Sequence, residues 1–166
     1  WSETAADMQN LAHAAEKRMY QDKKNHYRKN LPSDRYRHYN DDVFCLTEPG
    51  MLEKSLREGA FTVYLQPKVS SADRRVSGCE ALVRYLQKDD TVTPPAQFLP
   101  VLEDTKLIGI LDFYVFDIVC ASIARWFAEG RQAIPISVNF SRYTLAEQDF
   151  LTRLQTVFNG YGIDKK

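Results

Sequence analysis

The chain has 166 residues, of which 44% are hydrophobic and 27% charged, and its formal net charge is zero. This composition is typical of one globular domain or of a piece of a larger assembly. No stretch approaches eighteen consecutive apolar residues, so we expect no membrane span.

The charge is unevenly distributed along the first part of the chain. Residues 4–26 have helical spacing of apolar side chains, and Thr4 and Asp7 form a capping pattern, so we predict a helix there. Residues 27–44 have no sustained period and are interpreted as a linker. Residues 17–37 contain eight Lys or Arg and two Asp, a local charge of +6. Such a stretch can bind phosphate, but a solvated helix end and linker is the favoured explanation.

A short helix and a β-hairpin are predicted next. Thr47 begins the helix, with Pro49 in its first turn, and Gly59 ends it. Residues 61–86 alternate apolar and polar side chains on both sides of a turn at 70–74. This pattern predicts two antiparallel strands.

The second half of the chain alternates helices with a strand. Residues 93–104 and a longer segment ending at Gly130 are predicted helices, and residues 133–141 a short strand. Thr144 and Glu147 form a second capping pattern before a last helix. Alternation of this kind indicates an α/β layer or barrel, although about three strands are too few for a closed barrel.

The three cysteines give no sign of a disulfide or metal framework. Cys45, Cys79 and Cys120 are odd in number and widely separated. Reduced, buried side chains and a cytoplasmic location are therefore expected.

The second predicted strand carries two charges of opposite sign. Because side chains alternate along a strand, Glu80, Leu82 and Arg84 share one face. Hairpin parity can place Gln66 on the same face, depending on the register. Two interpretations remain open. In the first, the face points inward, and its charges must then be paired, bound to a metal or directed at a ligand. In the second, the face is an exposed surface with an ordinary cross-strand pair.

Polar residues also follow the later strand. Asn139 and Ser141 lie at its carboxyl end, where parallel α/β folds bind ligands and metals. An Asn carbonyl is a hard oxygen donor suited to Mg²⁺, Mn²⁺ or Ca²⁺. Taken alone, a role in capping or turning the chain is the simpler explanation for Asn139.

Three ordered segments resemble a known family: "VYLQPKVSSADRRVSGCEALVRY", "TPPAQFLPVLEDTKLIGILDFYVFDIVC" and "ISVNFSR". Together they are similar to the amino-terminal half of the EAL domain, a bacterial phosphodiesterase family that acts on cyclic di-GMP. The resemblance implies an α/β fold that is a partial TIM barrel, with a first strand antiparallel to the others. It covers residues 48–163.

The resemblance also implies roles for five residues. Glu80 and Asn139 match ligands of a catalytic Mg²⁺ or Mn²⁺. Gln66 matches a glutamine of the nucleotide site, and Arg84 matches an arginine that contacts the phosphates of cyclic di-GMP, a suitable task for a planar bidentate donor. Leu82 lies between them and is expected to line the substrate groove.

The resemblance places the family's further acidic ligands and its catalytic lysine outside this sequence. A TIM barrel typically needs about 250 residues, so we expect this segment alone to be inactive. The complete protein is expected to hydrolyse cyclic di-GMP to pGpG. The alternative is a degenerate EAL domain that acts as a cyclic di-GMP receptor or a protein-interaction module.

The amino-terminal residues resemble a second family. "AHAAEKRMYQDKKNHYR" is similar to the last helix of a GGDEF, or diguanylate cyclase, domain. The implied organisation is a GGDEF-like helix at 1–30, a linker at 31–46 and half of an EAL-like domain at 47–166. We expect self-association through EAL-type surfaces or open sheet edges, no binding to DNA or RNA, and membrane attachment only through other parts of the protein.

Overall fold

A computed structural model describes residue 43 and residues 45–87 and 91–163. The predicted helix at 4–26 and the linker at 27–44, apart from Val43, lie outside the described residues. Helix α1 is Pro49–Arg57, and Pro49 stands in its first turn, where the missing amide hydrogen is not needed. Gly59 follows with a positive φ of 74°, which glycine adopts without steric cost. The predicted end of this helix is confirmed, whereas its start lies two residues later than the predicted Thr47, with Glu48 as the N-cap.

The predicted hairpin is the centre of the fold. Strand β1 is Phe61–Val69 and strand β2 is Val76–Leu86, and the two pair antiparallel. The turn is closed by backbone hydrogen bonds from Ser70 N to the Arg75 oxygen, at 2.9 Å, and from Arg74 N to the Ser70 oxygen, at 3.0 Å. The register shifts between Lys68 and Val69, so the turn and this irregularity together align the two strands.

Two further strands pair with β2. Strand β3, Val92–Thr93, pairs antiparallel near the end of β2, and strand β4, Ile136–Val138, pairs parallel with Cys79–Ala81. Strand β4 is shorter than the predicted strand at 133–141. Its pairing is extended by a hydrogen bond from Cys79 N to the Pro135 oxygen, at 2.8 Å. A Cβ at Gly78 would stand 2.8 Å from that same oxygen, so glycine permits this close approach.

The remaining described elements are helical. Helix α2 is Pro95–Asp104, α3 is Ile108–Ala128, α4 is Arg142–Leu145 and α5 is Phe150–Gly160. None of the helices within residues 45–87 and 91–163 combines the length and the apolar character that a bilayer crossing requires.

The predicted capping pattern at Thr144 and Glu147 is wrong. Thr144 is buried inside α4 and donates its hydroxyl to Asp112 at 2.6 Å, while α5 begins only at Phe150. The cap of α4 is Ser141, whose hydroxyl accepts from Tyr143 N at 3.3 Å. A buried carboxylate from a distant helix thus engages the hydroxyl that local spacing assigned to a cap.

Aromatic side chains join the hairpin to the helices. Phe61 of β1, Tyr85 of β2 and Phe98 of α2 form a cluster with ring centroids 4.8 to 6.1 Å apart. The Tyr114 hydroxyl of α3 donates to the Leu56 oxygen at 3.1 Å. Helices α2 and α3 therefore cover the apolar face of the hairpin, and the polar residues of both strands lie on the other face.

Replacing Phe98 by Ala should lower the free energy of unfolding by about 3–5 kcal/mol, because Phe98 is fully buried and its removal leaves a cavity between the sheet and α2. Urea unfolding followed by circular dichroism measures the loss. Phe127→Ala is the matched control, since the Phe127 side chain is 49% exposed. An equal effect of both substitutions would contradict the packing described here.

Candidate functional site

The polar face of the hairpin brings four predicted residues together. Gln66 stands directly opposite Glu80 in the register, and two residues further along each strand Tyr64 stands opposite Leu82. Arg84 lies on the same face because strand side chains alternate. The predicted grouping of Gln66, Glu80, Leu82 and Arg84 on one face is therefore present in the structure.

Strand β4 brings Asn139 to this face. The parallel pairing sets Ser137 beside Glu80, and Asn139 follows two residues later on the same side. The Asn139 side-chain nitrogen donates to Glu80 Oε1 at 2.7 Å, across 59 positions of sequence. Glu80 is half-buried and is thus partnered rather than an isolated charge on the sheet.

The chemistry of this pair suits a hard divalent cation. Their hydrogen bond engages one carboxylate oxygen and the amide nitrogen, so the remaining acceptors are the second carboxylate oxygen and the amide oxygen. Both are donor types that Mg²⁺ and Mn²⁺ prefer. Within the described residues, no cluster of three or more His, Cys, Asp or Glu could hold a metal. The described part of the chain therefore offers two ligands and not a complete coordination shell.

Arg84 is oriented by the neighbouring strand. Its guanidinium carbon lies 5.4 Å from the centroid of the Tyr64 ring, a cation–π contact. One terminal nitrogen also donates to the Val83 oxygen at 2.8 Å. A guanidinium has five N–H donors, so these contacts limit its motion while the group keeps capacity for an anionic ligand.

Two further residues of this face were not singled out from the sequence. The Lys68 ammonium donates to the Ser137 hydroxyl at 2.6 Å, and that hydroxyl donates to the Cys79 oxygen at 3.3 Å. The alternation of side chains along a strand could have identified both residues in the sequence. Lys68 is two residues from Gln66, and Ser137 is two residues from Asn139, so each shares a face with a predicted site residue. Lys68 thus places a positive charge on the same sheet face as Glu80.

Helix α3 contacts the segment that carries Asn139 through the side chain of Asp112. Asp112 Oδ2 accepts from Ser141 N at 2.8 Å and from the Thr144 hydroxyl at 2.6 Å. Burial raises the pKa of Asp112 above its ordinary value of 3.8, and these hydrogen bonds only partly oppose that effect. In the sequence, the only signal for this residue is a carboxylate within an apolar helix.

Comparison with known proteins identifies a family and individual proteins that are similar to this chain. The profile of the EAL domain family matches residues 50–166. The bifunctional diguanylate cyclase/cyclic di-GMP phosphodiesterase MucR of Pseudomonas aeruginosa is 32% identical over 95 residues, which are 57% of this chain and 14% of MucR. The cyclic di-GMP phosphodiesterase PdeR of Escherichia coli is 31% identical over 106 residues, which are 64% of this chain and 16% of PdeR.

A solved structure gives the same result for the fold. The PaMucR phosphodiesterase in complex with c-di-GMP superimposes with a TM-score of 0.62 at 27% identity, over 68% of this chain and 45% of that one. The chain therefore spans about half of this solved structure and a much smaller share of the curated relatives. The predicted partial barrel fold is confirmed.

The raised pKa of Asp112 predicts a pH-dependent stability of defined sign. The folded state holds this proton more tightly than the unfolded state, so the contribution of Asp112 to the free energy of unfolding falls as the pH rises from about 4 through its folded-state pKa. The difference in free energy of unfolding between the wild type and Asp112→Asn, measured by urea titration, should therefore decrease as the pH rises over this range.

Asp73 provides a control of opposite sign. Hydrogen bonds from Ser70 and Arg75 lower the pKa of this exposed turn carboxyl. The stability of the wild type minus that of Asp73→Asn should therefore rise with pH and be lost as the pH falls through the folded-state pKa. A flat difference for Asp112→Asn would refute the raised pKa.

Proposed function

Because the chain belongs to the EAL domain family, we propose that the complete protein hydrolyses cyclic di-GMP to linear pGpG with the help of a divalent metal. EAL phosphodiesterases generally depend on such a metal. The observation that carries the proposal is the 2.7 Å contact between Asn139 and Glu80, which brings two oxygen-donor side chains together from separate strands. The names of MucR and PdeR, both cyclic di-GMP phosphodiesterases, agree with it.

In this proposal, Glu80 and Asn139 hold Mg²⁺ or Mn²⁺ at the carboxyl end of β4. When bound, the cation supplies charge stabilisation at the phosphate and activation of the attacking water. The protein's own contribution is to keep both donors on one sheet face, which reduces the reorganisation needed on binding. Because the described residues offer only two ligands, this segment alone is expected to be inactive.

Gln66, Leu82 and Arg84 form the nucleotide-binding side of the same face. The Arg84 guanidinium can form paired hydrogen bonds to a phosphate and neutralise part of its charge. Gln66, opposite Glu80, can donate to and accept from the edge of a guanine. Leu82 is half-buried between the two charged residues of β2 and offers apolar contact in the groove.

The wider organisation of the protein is proposed on the same basis. Residues 1–30 would be the last helix of a GGDEF-like domain, residues 31–46 a linker and residues 47–166 the amino-terminal half of the EAL domain. The presence of both activities in the name of MucR supports the combination of the two domain types in one protein. We also propose a cytoplasmic location, where a nucleotide messenger is available, and self-association through EAL-type surfaces or open sheet edges.

Glu80→Gln should lower kcat for manganese-dependent conversion of cyclic di-GMP to pGpG by about 100-fold or more, because it removes a charged metal ligand. Chromatographic separation of the two nucleotides measures the rate in the complete protein. Glu58→Gln is the control, since Glu58 is exposed at the end of α1.

Three outcomes of this experiment are distinct. Turnover by the wild type and loss in Glu80→Gln would support the proposal, whereas equal turnover by both proteins would reject the ligand role of Glu80. Binding of cyclic di-GMP by the wild type without turnover would reject hydrolysis and favour the receptor.

Arg84→Ala should raise KM for cyclic di-GMP by about 10- to 100-fold, the range expected for lost hydrogen bonds to a charged group. Arg84→Lys should recover only part of this loss, because an ammonium cannot reproduce the planar pair of donors. Steady-state kinetics measures both variants. Arg57→Lys, on the exposed surface of α1, is the control, and an Arg84→Lys variant with wild-type KM would exclude the bidentate contact.

A further inference from the structure

Asp112 of α3 is an unusual residue for its surroundings. It is 8% exposed, and it is the only carboxylate among the buried side chains of the described residues. The neighbouring helix positions are apolar, so an aliphatic residue would pack there without the cost of desolvating a charge. The groups that this carboxylate binds therefore have to account for its presence at this position.

The partners of Asp112 lie on the segment that carries Asn139. One carboxylate oxygen accepts from Ser141 N at 2.8 Å and from the Thr144 hydroxyl at 2.6 Å. Hydrogen bonds to a charged acceptor are stronger than neutral ones, particularly where water is excluded. Asp112 thus ties the beginning of α4 to α3.

The intervening residue is fixed from the same side. The Phe140 ring packs against Phe113 and Phe116 of α3 and Phe150 of α5, with centroids 5.1 to 5.9 Å apart. Asn139, by contrast, turns to the polar face of the sheet and bonds to Glu80. Asn139 is therefore held by Glu80, Phe140 by an aromatic cluster and Ser141 by Asp112.

We propose that Asp112 is a positioning residue for the cation site: through Ser141 and Thr144 it holds residues 139–141 so that the Asn139 amide stays against Glu80. This inference rests on the proposed function, because it assigns Asn139 to a divalent cation. In this role Asp112 acts through Ser141 and Thr144 and is not itself assigned as a ligand. Its effect is to keep a surface-exposed amide in one place before the ligand arrives.

The test compares variants of the complete protein that remove these contacts to different degrees. Asp112→Ala removes both hydrogen bonds, Asp112→Asn retains an acceptor oxygen, and Thr144→Val preserves the shape of the partner while removing one bond. Asp117→Asn is the control, since Asp117 lies on the same helix but accepts from the Tyr161 hydroxyl at 2.8 Å. Thermal unfolding of each variant reports loss of stability separately from loss of positioning.

The first readout is the Kd for Mn²⁺ without nucleotide, measured by isothermal titration calorimetry. We expect Asp112→Ala to weaken binding by about 10-fold or more, in the range for residues that orient metal ligands. Thr144→Val and Asp112→Asn should have smaller effects, and Asp117→Asn should stay within about twofold of the wild type even if its Tm falls. Wild-type affinity in folded Asp112→Ala would overturn the inference while leaving the proposed function intact.

The second readout is independent of metal binding. Hydrogen–deuterium exchange of peptides covering residues 137–146 should be faster in Asp112→Ala and in Thr144→Val than in the wild type, but unchanged in Asp117→Asn. If the wild type binds no Mn²⁺ and turns over no substrate, the proposed function fails. If hydrogen–deuterium exchange in Asp112→Ala is also unchanged, the role of Asp112 in holding residues 139–141 is rejected as well. If Asp112→Ala does not fold, Thr144→Val decides, with wild-type exchange and wild-type Kd contradicting the inference.

Discussion

The backbone pairing of β2 is the constraint on which the rest of this structure depends. One edge of the strand is occupied by β1 and the other by β3 and β4, so two neighbouring segments and one distant in sequence, β4, are aligned on the same strand. Gln66, Glu80 and Asn139 meet because each lies at a defined position in these ladders. A one-residue shift in either pairing would move its side chains to the other face and dissolve the site.

The two faces of the sheet have opposite requirements. Phe61 and Tyr85 face helices that exclude water, and this burial supplies the main favourable free energy of the fold. Glu80 and Arg84 lie on the other face, half-buried, with Asn139, Tyr64 and the Val83 oxygen as partners. A strand with one apolar and one charged face can belong both to a hydrophobic core and to a polar site without burying an unpaired ion.

Support for the polar site extends through the sheet to the helices. The Asn139 side chain is exposed, and an exposed amide has little to restrain it by itself. Its neighbours Phe140 and Ser141 are anchored on the opposite side, by ring packing and by Asp112. The desolvation of this carboxylate is unfavourable and raises its pKa, and its two hydrogen bonds to one short segment offset part of that cost.

Local pattern in the sequence was sufficient for the hairpin, for α1 and for the common face of Glu80 and Arg84. These features depend on side-chain alternation, turn residues and helix stops, which act over a few positions. The pairing of Gln66 with Glu80 did not follow from the turn, because the register of the two strands shifts between Lys68 and Val69. The resemblance of ordered segments to a family supplied the expected barrel and the roles of individual residues.

Only the tertiary structure decided which distant residues meet. Asn139 reaches Glu80 because β4 docks in parallel beside β2, and Lys68 reaches Ser137 for the same reason. Thr144 is the clearest case, since its spacing to Glu147 predicted a helix cap whereas its hydroxyl binds Asp112 from another helix. Contacts across tens of residues depend on how elements pack, and no short-range periodicity encodes that packing.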